Sequence, residues 1–146
     1  MKHPAAMRTF ILRLFFISAA VNFVWEMAQM PLYENMPFDS LMSWWLCFRA
    51  SLGDGIIVAF IWAIGAVLFR EQRWFEVLTP LRASILLTTG ALIAVGIEYV
   101  ALLRGRWSYS ALMPLVPLLD VGLSPFLQLL VLPLPLMRWS AHGKRN

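Results

Sequence analysis

The sequence holds one cysteine, Cys47, and two histidines, His3 and His142. A single cysteine excludes an internal disulfide and any cysteine-cluster metal site. Both histidines lie in the polar tails, so no imidazole is available as a base or ligand within the apolar segments. No metal centre and no cofactor is therefore expected. Charge is scarce as well: Asp, Glu, Lys and Arg make up 14% of the chain, against about a quarter in a soluble domain. Net charge is +4, but no basic run is interleaved with aromatics, which argues against nucleic acid as a partner. Gly53-Asp54-Gly55 lacks the Gly-Lys-Ser/Thr of a phosphate loop. Internal repeats, low-complexity tracts and linkers are missing too, which leaves a single domain, 1–146.

Apolar length is what the chain has in abundance. Hydrophobic residues account for 60% of it, and they fall into four runs near the ~20 residues that cross a bilayer. The expected spans are 9–30, 51–69, 83–103 and 118–137. Residues 41–48 either extend the second span or form a separate interfacial turn. Pro31 is expected to stop the first span. Pro125, Pro133 and Pro135 make the fourth the segment most prone to kinking. Lys2, His3 and Arg8 followed by Ser18-Ala19-Ala20 have features of a signal peptide. Arg13 interrupts that run and the apolar pattern continues to Met30, so an uncleaved first helix is expected.

Basic residues set the orientation. Lys2, Arg8, Arg13, Arg70, Arg73, Arg82, Arg138, Lys144 and Arg145 fall at the termini and between the second and third spans, against Arg49, Arg104 and Arg106 elsewhere. Nine against three places both termini in the cytoplasm. Trp25, Trp44, Trp45 and Trp107 then mark the outer interface, and Trp74 and Trp139 the inner one. Short connections favour an up-down-up-down bundle. The expected fold is all-α, an integral membrane four-helix bundle.

The exceptions to apolarity are spaced regularly. Ser18, Asn22 and Glu26 recur every four residues, with Gln29 beside them, and residues four apart share a helix face. Gly90, Ala94 and Glu98 repeat the spacing on a small-residue face suited to packing. Asp54 adjoins Gly55, Ala59 and Ala63. Asp120, Ser124 and Gln128 form a fourth stripe. With the topology above, all four stripes fall in the outer half of the bundle, and Glu26 and Glu98 become a candidate coupled pair sharing a proton. Arg49 is a candidate partner for Asp54, and Arg104 and Arg106 for Glu98.

Each feature also has a plainer reading. Glu26 with Asn22 and Gln29 can be an inert clamp between helices, although ionisable groups within a membrane mark function by default. Glu98 can be the same. Asp54 can cap a helix start, and Asp120 can sit in water. The cluster Arg104-Gly-Arg-Trp-Ser-Tyr109 can be an interfacial anchor, or a lid whose arginines hold an anionic headgroup. Met27, Met30, Met36, Met42 and Met113 fit adaptable packing better than copper(I) binding.

The segments NFVWEMAQMPLY (22–33), SLGDGIIVA (51–59) and IEYVALLRGRWSYSALMPLVP through GLSPFLQ (97–128) resemble a group of small four-span bacterial inner-membrane proteins. The resemblance covers most of the chain, and GRWSYSALMP…GLSPFLQ is its most specific stretch. It implies the four-span topology and a bacterial plasma membrane, and it implies no activity. A looser likeness is to isomerases of the emopamil-binding type, which also use intramembrane acids and aromatics, but no motif matches residue by residue.

The leading expectation is a membrane-embedded enzyme or binder for a lipid or isoprenoid. Glu26, Glu98 and Asp54 are its candidate catalytic groups. Asn22, Gln29 and Gln128 would orient the ligand, Arg104 and Arg106 would hold its headgroup, and Trp25, Trp107 and Tyr109 its apolar part. One alternative is a proton or small-cation transport protein, disfavoured by a cytoplasmic half that looks dry unless a homo-oligomer completes the path. The other is a non-catalytic membrane subunit or assembly factor.

Overall fold

The computed structural model describes residues 4–142. Lys2, Lys144 and Arg145, which enter the charge count, lie outside the described residues, as does His3. Five α-helices follow in order: α1 Pro4–Gln29, α2 Leu41–Leu68, α3 Pro80–Leu103, α4 Leu123–Val131 and α5 Pro133–Ala141. No strand occurs among the described residues, although two isolated bridges, Tyr33 with Tyr109 and Leu115 with Gly122, tie loops together. Three helices are long and apolar enough to cross a membrane: α1 with its short extension to Leu32, α2, and α3. Phe16, Val24, Ile56, Phe60, Leu92 and Leu103 are exposed, an apolar belt that needs lipid or a partner to cover it.

Local chemistry accounts for the helix limits. Pro31 does not end α1 outright. The helix tightens into a 3-10 turn over Met30–Leu32, with Pro31 in its first turn where no amide is needed. The Ser40 side chain accepts from the Ser43 amide and starts α2, so residues 41–48 extend the second helix. At ~1.5 Å per residue α2 is about 42 Å long, more than the ~30 Å hydrocarbon core. Thr79 accepts from the Arg82 amide and Pro80 occupies the first turn of α3. Both α2 and α3 close with paired bonds. Arg70 and Glu71 amides reach Val67 and Ala66 carbonyls, and Gly105 and Arg106 amides reach Leu102 and Ala101. That arrangement requires a left-handed residue, which is Gly105 (φ 59°) after α3 but Arg70 (φ 51°) after α2.

The fourth segment departs from expectation. Residues 118–122 are not helical, because Leu118 and Asp120 both have positive φ and the Val116 amide donates to the Val121 carbonyl at 2.8 Å. Asp120 is thus off the Ser124–Gln128 stripe, and it is exposed. Helical structure starts at Leu123 and continues past Met137 to Ala141, interrupted at Leu132–Pro133. Leu132 keeps helical angles, so α4 and α5 form one kinked rod. Pro133 has no N–H to give the Leu129 carbonyl. That carbonyl packs against Gly90 of α3, so closely that a Cβ there would collide with it.

Two ends of the bundle differ. The near end carries the start of α1, the end of α5 and the 69–79 loop. Its core is Phe10, Leu14, Ile61, Trp62, Trp74 and Phe75, with Leu136 and Met137. Trp74 was expected at an interface, but it is fully buried. Its indole donates to the Trp62 carbonyl at 3.0 Å, and the Trp62 indole donates to the Gln72 carbonyl at 3.0 Å. Gly65 leaves the space that the Trp74 ring fills. Arg82 bonds to Glu71 and to the Trp74 and Val77 carbonyls, and holds the loop over this core.

At the far end the 30–36 and 105–113 loops are zipped together. Glu34 N donates to Ser108 O at 3.0 Å, and Ser110 N to Leu32 O at 2.9 Å. Ser108 Oγ donates to Glu34 Oε2 at 2.7 Å and Ser110 Oγ to Pro31 O at 2.9 Å.

Candidate functional site

The polar stripes meet in the far half of the bundle, beneath those loops. On α1 the four-residue spacing does put Ser18, Asn22 and Glu26 on one face. Ser18, Asn22 and Gln29 are buried and Glu26 is half-buried. The Asn22 amide donates to the Ser18 carbonyl at 2.8 Å, which turns its own oxygen toward α4. There Gln128, also buried, is the hub. Its Nε2 lies 2.8 Å from Asn22 Oδ1, 3.2 Å from Glu26 Oε1 and 3.0 Å from Asp54 Oδ2. Three helices are joined at one nitrogen. Ser124, one turn before Gln128, donates to Gln29 Oε1 at 2.8 Å.

Asp54 joins the converging stripes at Gln128 but is not a helix cap. Because α2 begins at Leu41, Asp54 is about 20 Å along the helix and caps nothing. Asp54 Oδ2 and Glu26 Oε1 approach the same Gln128 nitrogen, so the acid that Glu26 meets through this hub is Asp54, while Glu98 is held by Tyr109. The Gln128 amide carries two hydrogens for three acceptor oxygens, which leaves room for a carboxyl proton in the network.

Glu98 is buried with Gly90 and Ala94 on the face of α3 that packs toward α4, as its spacing requires. Its carboxyl receives the Tyr109 hydroxyl hydrogen, and the Tyr109 oxygen accepts from the Gly122 amide at 2.8 Å. One phenol thus ties α3 to the start of α4. The Trp107 indole N–H is buried near the same carboxyl without meeting hydrogen-bond geometry. Tyr33 packs on Tyr109 and Trp107, with ring centroids 5.8 and 6.2 Å apart. Burial, and after it the Glu98 charge, holds the Tyr33 hydroxyl far above its ordinary value. Burial and then the bond to Glu98 do the same for Tyr109.

The expected cations are not with the acids. Arg49, Arg104 and Arg106 are exposed. Among the described residues the ion pairs are Arg73–Glu76 and Arg82–Glu71, both at the near end. The hypothesis that Arg49 neutralises Asp54, and Arg104 or Arg106 Glu98, fails because the arginines turn toward the exterior. Trp25 is half-buried beside Glu26, with its indole N–H unpartnered. Ser18 Oγ, fully buried, has no partner either, and no sequence signal marked it beyond its place in the stripe. No group of three His, Cys, Asp or Glu able to hold a metal ion occurs among the described residues.

Chemically, the arrangement offers two carboxyls gathered on one amide nitrogen and a tyrosine-latched third carboxyl. Comparison with family models, curated proteins and solved structures returns no match.

Proposed function

We propose that the chain is a four-span protein of the bacterial plasma membrane, both ends cytoplasmic, that binds or chemically alters a lipid or isoprenoid in a pocket of its outer half. The kinked α4–α5 rod serves as the fourth span. One observation carries this reading: side chains of Asn22, Glu26, Asp54 and Gln128 from three helices converge on one point, with the two acids less completely buried than the two amides. Burying such groups costs several kcal/mol unless they are used or fully satisfied. In this reading Glu26 and Asp54 exchange a proton with the ligand. Asn22, Gln29 and Gln128 orient it. Glu98 and Tyr109 hold the lid, and Trp25 and Trp107 line the apolar approach. Arg104 and Arg106 stand at the rim, where a headgroup phosphate would lie.

The packed aromatic core of the near end argues against a proton or cation path, since polar groups do not continue through it. The same Gln128 bonds would also serve a non-catalytic subunit as a clamp between helices. A direct test is mass spectrometry of lipids that co-purify with wild type and with Glu26→Gln/Asp54→Asn. A specific lipid held by wild type and lost from the folded double variant supports the proposal. An unchanged lipid profile refutes it and leaves the clamp.

A further inference from the structure

We propose that an anionic phospholipid seats on the outside of α3, with an acyl chain in a groove over Gly96 and its phosphate at Arg106. The inference rests on the membrane reading above. The groove shares Arg106 and Trp107 with the proposed function but no residue of the Gln128 network, so the two can fail separately.

The groove follows from how α3 ends. Gly105 takes the left-handed turn (φ 59°), and the Arg106 amide donates back to the Ala101 carbonyl at 2.9 Å. That closure returns residues 106 and 107 to the last turns of the helix. An open groove of about 490 Å3 results, lined by Leu92, Gly96, Ile97 and Val100, with Arg106 and Trp107 toward the far end of the bundle. Gly96 keeps it open. A Cβ there would meet nothing within 4 Å, whereas one on Gly90 would collide with the Leu129 carbonyl. Glycine inside a helix is destabilising relative to alanine. At Gly90 helix packing accounts for it, and at Gly96 no contact within the described chain does.

Size and charge select the occupant. Residues 92–101 span about 14 Å of helix axis at ~1.5 Å per residue. The groove volume of about 490 Å3 divided by that length gives a cross-section of roughly 35 Å2, less than half the ~80 Å2 of a helix ~10 Å across. A single hydrocarbon chain fits that width, and a helix from a second copy does not. Leu92, Ile97 and Val100 are exposed apolar side chains, which suit the chain and not a free phosphate. Arg106 is exposed, and the ion pairs among the described residues, Arg73–Glu76 and Arg82–Glu71, do not involve it. Its stem can lie along apolar surface while the guanidinium meets a phosphate at the headgroup level, where tryptophan is also favoured. In phosphatidylcholine the choline cation already offsets the phosphate, so a net negative headgroup gains more from Arg106.

The full chain in detergent micelles is titrated with phosphatidylglycerol and, separately, with phosphatidylcholine, and bound lipid is counted by native mass spectrometry. About fivefold tighter binding of phosphatidylglycerol is expected, the equivalent of ~1 kcal/mol for one arginine near anionic lipid. Arg106→Gln should cut that preference below twofold. Gly96→Leu fills the groove and should weaken both lipids at least tenfold. Gly53→Leu is its control: a Cβ there also meets nothing within 4 Å, it lies on α2 outside the groove, and binding should be unchanged. Helical content by circular dichroism should match wild type in all three variants. Equal binding of the two lipids by wild type, or Gly96→Leu binding as Gly53→Leu does, overturns the inference. Loss of phosphatidylglycerol from Glu26→Gln/Asp54→Asn with retention by Gly96→Leu also overturns it and leaves the proposed function standing. Loss from Gly96→Leu alone supports the groove and leaves the Gln128 hub without that lipid.

Discussion

Replacing Tyr109 by Phe removes one oxygen and breaks two bonds. The hydroxyl donates to the buried Glu98 carboxyl and accepts from the Gly122 amide at 2.8 Å. Losing a hydrogen bond to a charged group costs ~1.5–3 kcal/mol, and stranding a buried N–H adds ~1–3. Tyr109 is half-buried, so some water can replace the lost partner. We therefore expect a loss of about 3 kcal/mol in equilibrium unfolding in mixed micelles. Tyr33→Phe is the control: it removes a hydroxyl from a neighbouring ring while leaving both bonds in place, and should change stability by no more than ~0.5 kcal/mol. A double-mutant cycle with Glu98→Gln should return a coupling of ~1 kcal/mol or more. If Tyr109→Phe costs less than ~1 kcal/mol, or the cycle is additive, Tyr109 does not latch α3 to α4 and the account of the lid is wrong.

Both tyrosines bear on pH. Their folded-state values lie above the ordinary 10.0, so the folded chain holds these protons more tightly than the unfolded one. Stability is expected to be constant in this respect below pH ~10 and to fall as pH rises above it. The fall should shrink in Tyr33→Phe/Tyr109→Phe, as followed by circular dichroism. Gly65→Ala should destabilise by ~1–3 kcal/mol, because the new methyl meets the buried Trp74 ring. An increase in unfolding midpoint would contradict that packing. Arg70→Gly should stabilise by ~0.5–1 kcal/mol by relieving the left-handed residue after α2, measured in the same unfolding assay.

Much of the architecture was legible in local pattern. Apolar length marked α1, α2 and α3, and the four-residue spacing of Asn22 and Glu26, and of Gly90, Ala94 and Glu98, gave the faces that the structure buries. What pattern could not supply was relative height and rotation. Glu98 and Glu26 lie at comparable sequence depth, yet it is Asp54 that meets Glu26 at the Gln128 hub. Residues 41–48 extend the second helix, one of the two readings the sequence left open, and Ser40 caps that start. The coil over 118–122 was hidden because Leu118 and Leu119 read as apolar span, whereas their backbone is set by the bridge from Leu115 to Gly122. Trp74 misled for a related reason. Its position in a basic loop fits an interface, and only Gly65, nine residues earlier, hinted at a space for its ring. Arginine reach was overestimated because sequence distance carries no direction.

The carbonyl that Pro133 leaves without an amide has a mechanical consequence. Seated on Gly90, it behaves as a detent between the third and fourth rods. Sliding one rod along the other would carry it off the glycine toward Leu86 or Ala94, the side chains that flank Gly90 on the buried face of α3. These rods can therefore pivot about the glycine but resist sliding. The close seat of the Leu129 carbonyl on Gly90 thus fixes the height of Gln128, one residue earlier on α4, relative to α3.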